Sequence, residues 1–342
     1  MARSIRVGII GCGKIAEVSH LPDFKAVPGV EIVALCDLVP AKMESLRDKF
    51  APGAALFADY KKLLTCGVDA VSVCTPNFLH CTMTLAALKR GLHVLCEKPM
   101  AGTIADANRM VAAAKKAGKV LQIDQSFRYS SHHAEVVRLV AEGAIGKPLH
   151  ARCIRAHGCT PDVGWSPGAK WFVQKKAQGG LILDIGIHMA DLLKWIMGDV
   201  SEVAALIDTR TRGIDVPDNV MTLLRFENGS TGVLELSWTM PSGAGGLEIY
   251  GSAGRIRMGY SAEHPIELIS TSGGKHETLY PQPPAGMKNC FERFAMAIRR
   301  EAPSPTPGEL GREALALCVA IAESGEKGKF VKVKKFPRAK RR

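Results

Sequence analysis

Three stretches of this sequence carry side chains able to do chemistry together. Glu97-Lys98-Pro99 follows a short apolar run at 93–96, so an ammonium stands where that run ends. A lysine partly withdrawn from water has a lowered pKa and becomes a usable proton donor or acceptor. The plain alternative is an exposed loop lysine. Asp184 and His188 are four residues apart, which on a helix puts a carboxylate and an imidazole on one face, able to act on one ligand. The alternative there is a solvated face, or a histidine paired with Asp191. Gly11, Gly13 and Ala16 fit the G-x-G-x-x-G/A spacing at the end of a first apolar run. Gly11 permits the tight turn, Gly13 lets a pyrophosphate come close to the main chain, and Ala16 lets the next helix lie near the strand. Lys14 and Ile15 complete that turn, whose free N–H groups and helix dipole favour phosphate.

A second apolar run ends in Asp37, about 20 residues further on, where a carboxylate is expected to accept from a ribose hydroxyl. The same charge repels a 2′-phosphate. Leu38 follows, and no arginine stands in the next four positions, so NAD is expected rather than NADP. Thr75-Pro76-Asn77 ends another run and His80 opens the next helical stretch. Ligands of open α/β sheets bind outside such strand ends. Arg128 and Tyr129 also follow a strand end and are expected to touch substrate or cofactor, or else to link domains. His157, Trp165, Lys170 and Trp171 lie in a Gly/Pro-containing loop suited to closing a pocket. His132-His133 has no third ligand at metal spacing, and no metal is expected.

The elements that must hold these groups follow from pattern. Runs at 5–10, 31–36, 70–75, 93–96 and 120–124 are rich in Val, Ile and Leu and read as buried parallel strands. Helical stretches at 43–50, 79–90 and 105–117 alternate with them, and Gly91 and Gly118 sit where C-terminal glycines belong. Residues 1–122 are therefore expected to form a doubly wound Rossmann domain. Residues 123–342 are expected to form an α+β domain with a large, mainly antiparallel open sheet. A helix is expected over 181–197, with Ile185, Met189, Leu192 and Ile196 as its core stripe and Asp184, His188, Asp191 and Trp195 beside it. Strands are expected at 147–157, 202–211, 219–226, 231–239, 246–250, 255–259 and 265–270, with hairpin turns at Asn228-Gly229 and at 251–254. Two helices, about 287–300 and 309–324, come late.

Composition is that of an ordinary globular protein. The 342 residues suit about two domains of ~150 residues each. Apolar residues at 46% and charged residues at 23% suffice for a sizeable core. No membrane span is expected, since no uncharged apolar run reaches ~18 residues. Neither the first residues nor the ten cysteines, which form no Cys-x-x-Cys pair, suggest export, so a reducing cytoplasm is expected. Of the net charge of +12, residues 326–342 carry +8, which reads as a solvated basic tail and not as a nucleic-acid surface.

Taken in order, Gly11-x-Gly13-x-x-Ala16, Thr75-Pro76-Asn77-x-x-His80, Glu97-Lys98-Pro99 and Gly179-Gly180-x-x-x-Asp184-x-Gly186-x-His188-x-x-Asp191 resemble the glucose–fructose oxidoreductase, inositol dehydrogenase and rhizopine-catabolism family, Gfo/Idh/MocA. The resemblance runs from residue 5 to about 333. It implies a Rossmann domain, a second domain whose open sheet makes homodimer or homotetramer contacts, Lys98 as catalytic lysine, and Asp184 and His188 completing a site for a sugar or polyol. Glu97 and His80 are expected beside the cofactor. Oxidising a secondary alcohol needs a base for the hydroxyl proton. His188 is expected in that role, with Lys98 stabilising the oxygen and Asp184 orienting; a close second makes Lys98 the proton-transfer group. Two rivals remain: a glycoside-cleaving enzyme using transient oxidation, and a non-catalytic dinucleotide sensor.

Overall fold

The computed structural model describes residues 4–259, 264–271 and 276–337. By internal contact the chain divides into two compact units, Met1–Gln125 with Lys288–Arg312, and Ser126–Met287 with Glu313–Arg342.

In the first unit, β1 (Ile5–Ile10), β2 (Val30–Cys36), β3 (Ala55–Phe57), β4 (Ala70–Val73), β5 (His93–Cys96) and β6 (Leu121–Ile123) form a parallel sheet ordered β3-β2-β1-β4-β5-β6. Helices α1 (Leu21–Ala26), α2 (Pro40–Phe50), α3 (Tyr60–Leu63), α4 (Asn77–Lys89) and α5 (Ile104–Ala117) connect the strands. All four β4 residues are buried, as expected of a strand covered on both faces. Helix α5 starts where the Thr103 hydroxyl accepts from the Asp106 N–H and stops at Gly118, whose φ of 61° is a left-handed cap. Sequence reading finds five of these strands and misses β3, whose three residues are too short for any period to register.

A single boundary at 122/123 gives every later residue to the second domain, whereas Lys288–Arg312 belongs to the first unit. The reason is apolar burial. The helix Cys290–Arg299 opens with an Asn289/Glu292 capping box, and its Phe291 and Phe294 rings pack 4.7 and 6.3 Å from Phe24. Next to it the Ile123 N–H donates to the Thr306 carbonyl at 2.8 Å, and the Gln122 side chain donates to the Cys290 carbonyl.

The second unit holds α6 (Ser131–Ala141), β7 (Pro148–Ala156), α7 (Pro161–Gly164), α8 (Ile187–Met197), β8 (Val200–Asp208), β9 (Asn219–Phe226), β10 (Thr231–Ser237), β11 (Ala244–Gly251), β12 (Gly254–Gly259), β13 (Ile266–Ser270), β14 (Glu277–Leu279) and β15 (Val331–Lys332). The strands form one sheet ordered β14-β13-β12-β11-β7-β10-β9-β8-β15. Its pairs are antiparallel except β7 with β10. The hairpins at Asn228-Gly229 and at 251–254 form as expected. Met189, Leu192 and Ile196 of α8 are buried toward this sheet, and the Met189 sulfur lies 3.5 Å from Cys153 of β7. On the other face Leu206 pairs across from Met221 beside Leu223, and all three are at least half exposed.

The segment from Lys327 also differs from its reading as a solvated tail. Val331 pairs with Val203 at the sheet edge and Val333 is buried, because alternating valines supply an apolar face between the lysines. Residues 338–342 of that tail lie outside the described residues. Among the described residues no helix is long and apolar enough to cross a membrane.

Candidate functional site

At the end of β1 the chain turns through Gly11 with φ of 97°, where a Cβ would sit 2.6 Å from the Cys74 carbonyl oxygen. Only glycine fits there. Gly13 is different: a Cβ built on it meets nothing within 4 Å. The protein's own packing does not require glycine at 13, but a ligand lying against the main chain would. Ala16 is fully buried and begins a π-helical turn, Ala16–His20, that runs into α1. Lys14 is exposed, 3.7 Å from Glu17, and Ile15 is half-buried. The Asp37 carboxylate accepts from the Cys12 N–H at 2.8 Å and from the Val39 N–H at 2.9 Å. Those bonds fix it beside the glycine turn, and a carboxylate has lone pairs left for a hydroxyl. The cradle and the acid therefore fit a dinucleotide.

Thr75 and Pro76 follow β4 half-buried, and Asn77 opens α4. His80 is fully buried. Its Nδ1 lies 2.8 Å from the Pro99 carbonyl oxygen and its Nε2 2.7 Å from that of Thr75. Burial lowers its pKa, so the neutral ring donates to one carbonyl at a time. Both nitrogens thus face the main chain, where sequence reading has His80 touching the cofactor. The ring ties two loops together.

Glu97 likewise turns inward. Its Oε1 accepts from His20 Nε2 at 2.7 Å, and its Oε2 accepts from the Lys98 N–H at 3.1 Å. His20 Nδ1 lies 2.7 Å from the Ser72 hydroxyl and its Nε2 lies 3.7 Å from Asp124 Oδ2. Burial opposes charge on His20, yet the neighbouring Cys74 and Glu97 outweigh it and hold the imidazole well above its ordinary pKa. Burial likewise opposes charge on Glu97, and the His20 bond outweighs it, holding the carboxyl low. Asp124 is pushed up to about 6, by burial first and by the Glu97 charge second. The ligating atoms of His20, Glu97 and Asp124 lie within 4.8 Å of one another, a spacing a metal could bridge. The 2.7 Å contact is already a closed hydrogen bond, so a proton accounts for it. Sequence reading misses this group because its members come from a helical turn and two strand ends far apart in the chain. Lys98 itself is half-buried, and the Lys98–Pro99 peptide is cis.

In the second unit Gly179 passes so near the Phe172 and Trp171 carbonyls that a Cβ would sit 2.3 and 2.4 Å from them. The chain then enters a π-helical turn, Ile182–Gly186, which carries Asp184 and leads straight into α8 and His188. Such turns insert one residue into a helix and recur at functional sites. The turn also explains why Ile185, expected in the core stripe, is only half-buried. Phe127 stacks on His188 with ring centroids 5.1 Å apart and on His133 at 4.6 Å. Burial, with His132 adding repulsion, pushes His133 down to about 4.

Arg128, expected near substrate, gives Nε and Nη2 to the two Asp191 oxygens at 2.7 and 2.9 Å. Its guanidinium also lies 4.9 Å from the Trp195 ring. It therefore ties the turn Ser126–Tyr129 to α8, and Tyr129 shares that turn half-buried. His157 follows β7 half-buried. Burial and then Arg155 lower its pKa, and the Asp184 charge opposes them. In the loop after β7, Trp165 is exposed, Lys170 pairs with Asp162 at 2.8 Å, and Trp171 stacks on Phe172 at 3.7 Å.

Residues 5–125 match the family model described as the oxidoreductase family, NAD-binding Rossmann fold. Residues 133–257 match the GFO/IDH/MocA C-terminal domain. A 1,5-anhydro-D-fructose reductase from Ensifer adhaerens is 30% identical over 96% of this chain and 98% of its own length. A myo-inositol 2-dehydrogenase from Thermotoga maritima is 28% identical over 96% of this chain and 98% of its own. Among solved structures, the WlbA dehydrogenase from Bordetella pertussis, in complex with NADH and UDP-GlcNAcA, superposes with a TM-score of 0.84 at 25% identity, covering 98% of this chain and all (100%) of that one.

Proposed function

This chain belongs to the Gfo/Idh/MocA oxidoreductase family, and on that premise we propose that it moves a hydride between NAD and a secondary alcohol or ketone of a sugar, inositol or sugar derivative. The observation that carries the reading lies in the first unit: a glycine at 13, in the turn after β1, that its own protein leaves room to replace, and a half-buried lysine in the turn after β5 of the same parallel sheet. NAD is the cofactor, and when bound it supplies the acceptor for the hydride. Gly11, Gly13, Lys14 and Ile15 cradle its diphosphate, Asp37 holds the adenine ribose, and Thr75, Pro76 and Asn77 line the nicotinamide side. Glu97 and His80 act from behind, through the main chain they hold.

His188 takes the hydroxyl proton as the substrate carbon loses its hydride. The Lys98 ammonium stays beside the oxygen and stabilises its growing negative charge. Asp184 orients the substrate or His188 and bears on His157. Tyr129 borders the substrate, while Arg128 acts through Asp191. The names of the two curated relatives, a reductase of an anhydro sugar and a dehydrogenase of an inositol, support this substrate class. The exposed apolar outer face at Leu206, Met221 and Leu223 suits a second copy of the chain, so a homodimer or homotetramer is the expected state, in a cytoplasm that keeps the ten cysteines reduced.

The test is incubation with NAD and a panel of inositols, aldoses, amino sugars and nucleotide sugars, following absorbance of reduced cofactor. Net NADH formation supports the reading. Sugar release without net change in cofactor supports glycoside cleavage by transient oxidation instead. Binding of NADH with no turnover of any kind supports a dinucleotide sensor.

A further inference from the structure

We infer that His20 is a positioning residue for Lys98, holding the lysine's main chain through Glu97 so that the ammonium meets the reacting oxygen. The inference rests on the reaction proposed above. His20 ends the π-helical turn that begins at the glycine cradle, and it is fully buried. Its ring is fixed at three points. Nδ1 meets the Ser72 hydroxyl on β4 at 2.7 Å, Nε2 meets Glu97 Oε1 at 2.7 Å, and the ring packs edge-to-face with Phe291, centroids 5.0 Å apart.

Glu97 passes the constraint on, because its second oxygen accepts the Lys98 N–H at 3.1 Å. Across the loop His80 holds the Pro99 carbonyl at 2.8 Å. The lysine's main chain is therefore flanked by two fully buried imidazoles, His20 acting through Glu97 and His80 beside the Pro99 carbonyl. The geometry makes that grip matter. A lysine ammonium stands ~6 Å from its Cα, so a main-chain tilt of ~10° carries it ~1 Å, and misplacement of that size costs ~100-fold in rate.

Stability alone is a poor reason for the arrangement. A buried ion pair replaced by well-packed apolar side chains of like volume is often no less stable. Apolar side chains at 20 and 97, however, would leave the Lys98 N–H with no carboxylate to hold it. The link also joins the two ends of the cofactor site, the phosphate turn and the lysine loop, through one side-chain hydrogen bond.

The experiment compares His20→Leu, which keeps bulk and loses both polar contacts, with His20→Gln, which keeps a donor toward Glu97. His20→Asn, which retains a donor toward Ser72 and loses Glu97, serves if the leucine variant does not fold. Two readouts are taken on each folded variant: hydrogen exchange of the segment 96–99, and kcat, substrate KM and NADH affinity. Loss of the Glu97 contact is expected to speed exchange at Lys98 about tenfold or more and to lower kcat ~100-fold, with KM and NADH affinity within about threefold; His20→Gln is expected to recover most of both. Unchanged exchange at Lys98, a glutamine variant no better than leucine, or a parallel fall of kcat, NADH affinity and thermal stability overturns the inference. If the wild-type protein turns over no substrate of the panel, the reaction assigned above is what fails, and the exchange data still decide whether His20 holds the lysine loop.

Discussion

Lys98 and His188 hang from supports of opposite kind. In the first unit the lysine stands on main chain held by buried side chains: Glu97 on its own N–H and His80 on the next carbonyl. In the second unit His188 rides on a helix fixed by a guanidinium–carboxylate pair and leans on an aromatic ring, Phe127, that stacks in turn on His133. The first arrangement fixes where a backbone lies. The second fixes how a helix is rotated and leaves side chains to face a ligand. A cofactor whose shape does not vary suits the first, and a substrate that differs among relatives suits the second, since side chains can be exchanged without rebuilding main chain.

Four substitutions break or sharpen this contrast. Lys98→Met is expected to have the largest effect: kcat falls about a thousandfold, roughly 4 kcal/mol, with NADH affinity and melting temperature little changed. Steady-state kinetics and a thermal melt check it, and retained activity removes the lysine from the chemistry. Arg128→Met leaves the Asp191 carboxylate buried with no partner. It should cost about 3 kcal/mol of stability, read by urea denaturation. An equal loss of activity with no loss of stability would instead put Arg128 on the substrate.

Gly13→Ala separates ligand from protein. A Cβ there touches nothing within 4 Å, so the melting temperature without cofactor should hold while NADH binds about tenfold more weakly. A destabilised but normally binding variant would reverse that reading. Asp124→Asn is the smallest. The folded carboxyl titrates at about 6, above the ~3.9 of an unfolded chain, so the folded state binds the proton more tightly and loses stability as pH rises between those values. Asparagine does not titrate. Relative to the parent protein, the variant should therefore be more stable at pH 8 than at pH 4, measured by denaturation at both.

The contrast also explains what could be read in advance. Gly11, Gly13, Asp37 and the run before Lys98 are legible because main-chain demands leave their mark on neighbouring residues in sequence. Asn228-Gly229 and the strands around it are legible for the same reason. The His20–Glu97–Asp124 group is not, since its members are 77 and 27 positions apart and meet only once the turn Ala16–His20 packs beside the ends of β5 and β6. The pairing of Arg128 with Asp191 is not legible either, the two being 63 positions apart. The inward turn of His80 has another cause: nothing in the spacing of Thr75-Pro76-Asn77 reveals that Pro99 will present a carbonyl to it.

The helix Cys290–Arg299, which packs Phe291 and Phe294 on Phe24, has a consequence for how the protein is made. A ribosome that has released Gln125 has delivered the whole parallel sheet but not its cover. At ~5–20 residues per second the missing piece, ending at Arg312, arrives about 10 to 40 s later. Through that interval Phe24 and its neighbours face water, a surface for a chaperone or for another nascent chain. A gene cut after codon 125 would therefore yield an aggregation-prone fragment and not a free-standing dinucleotide module.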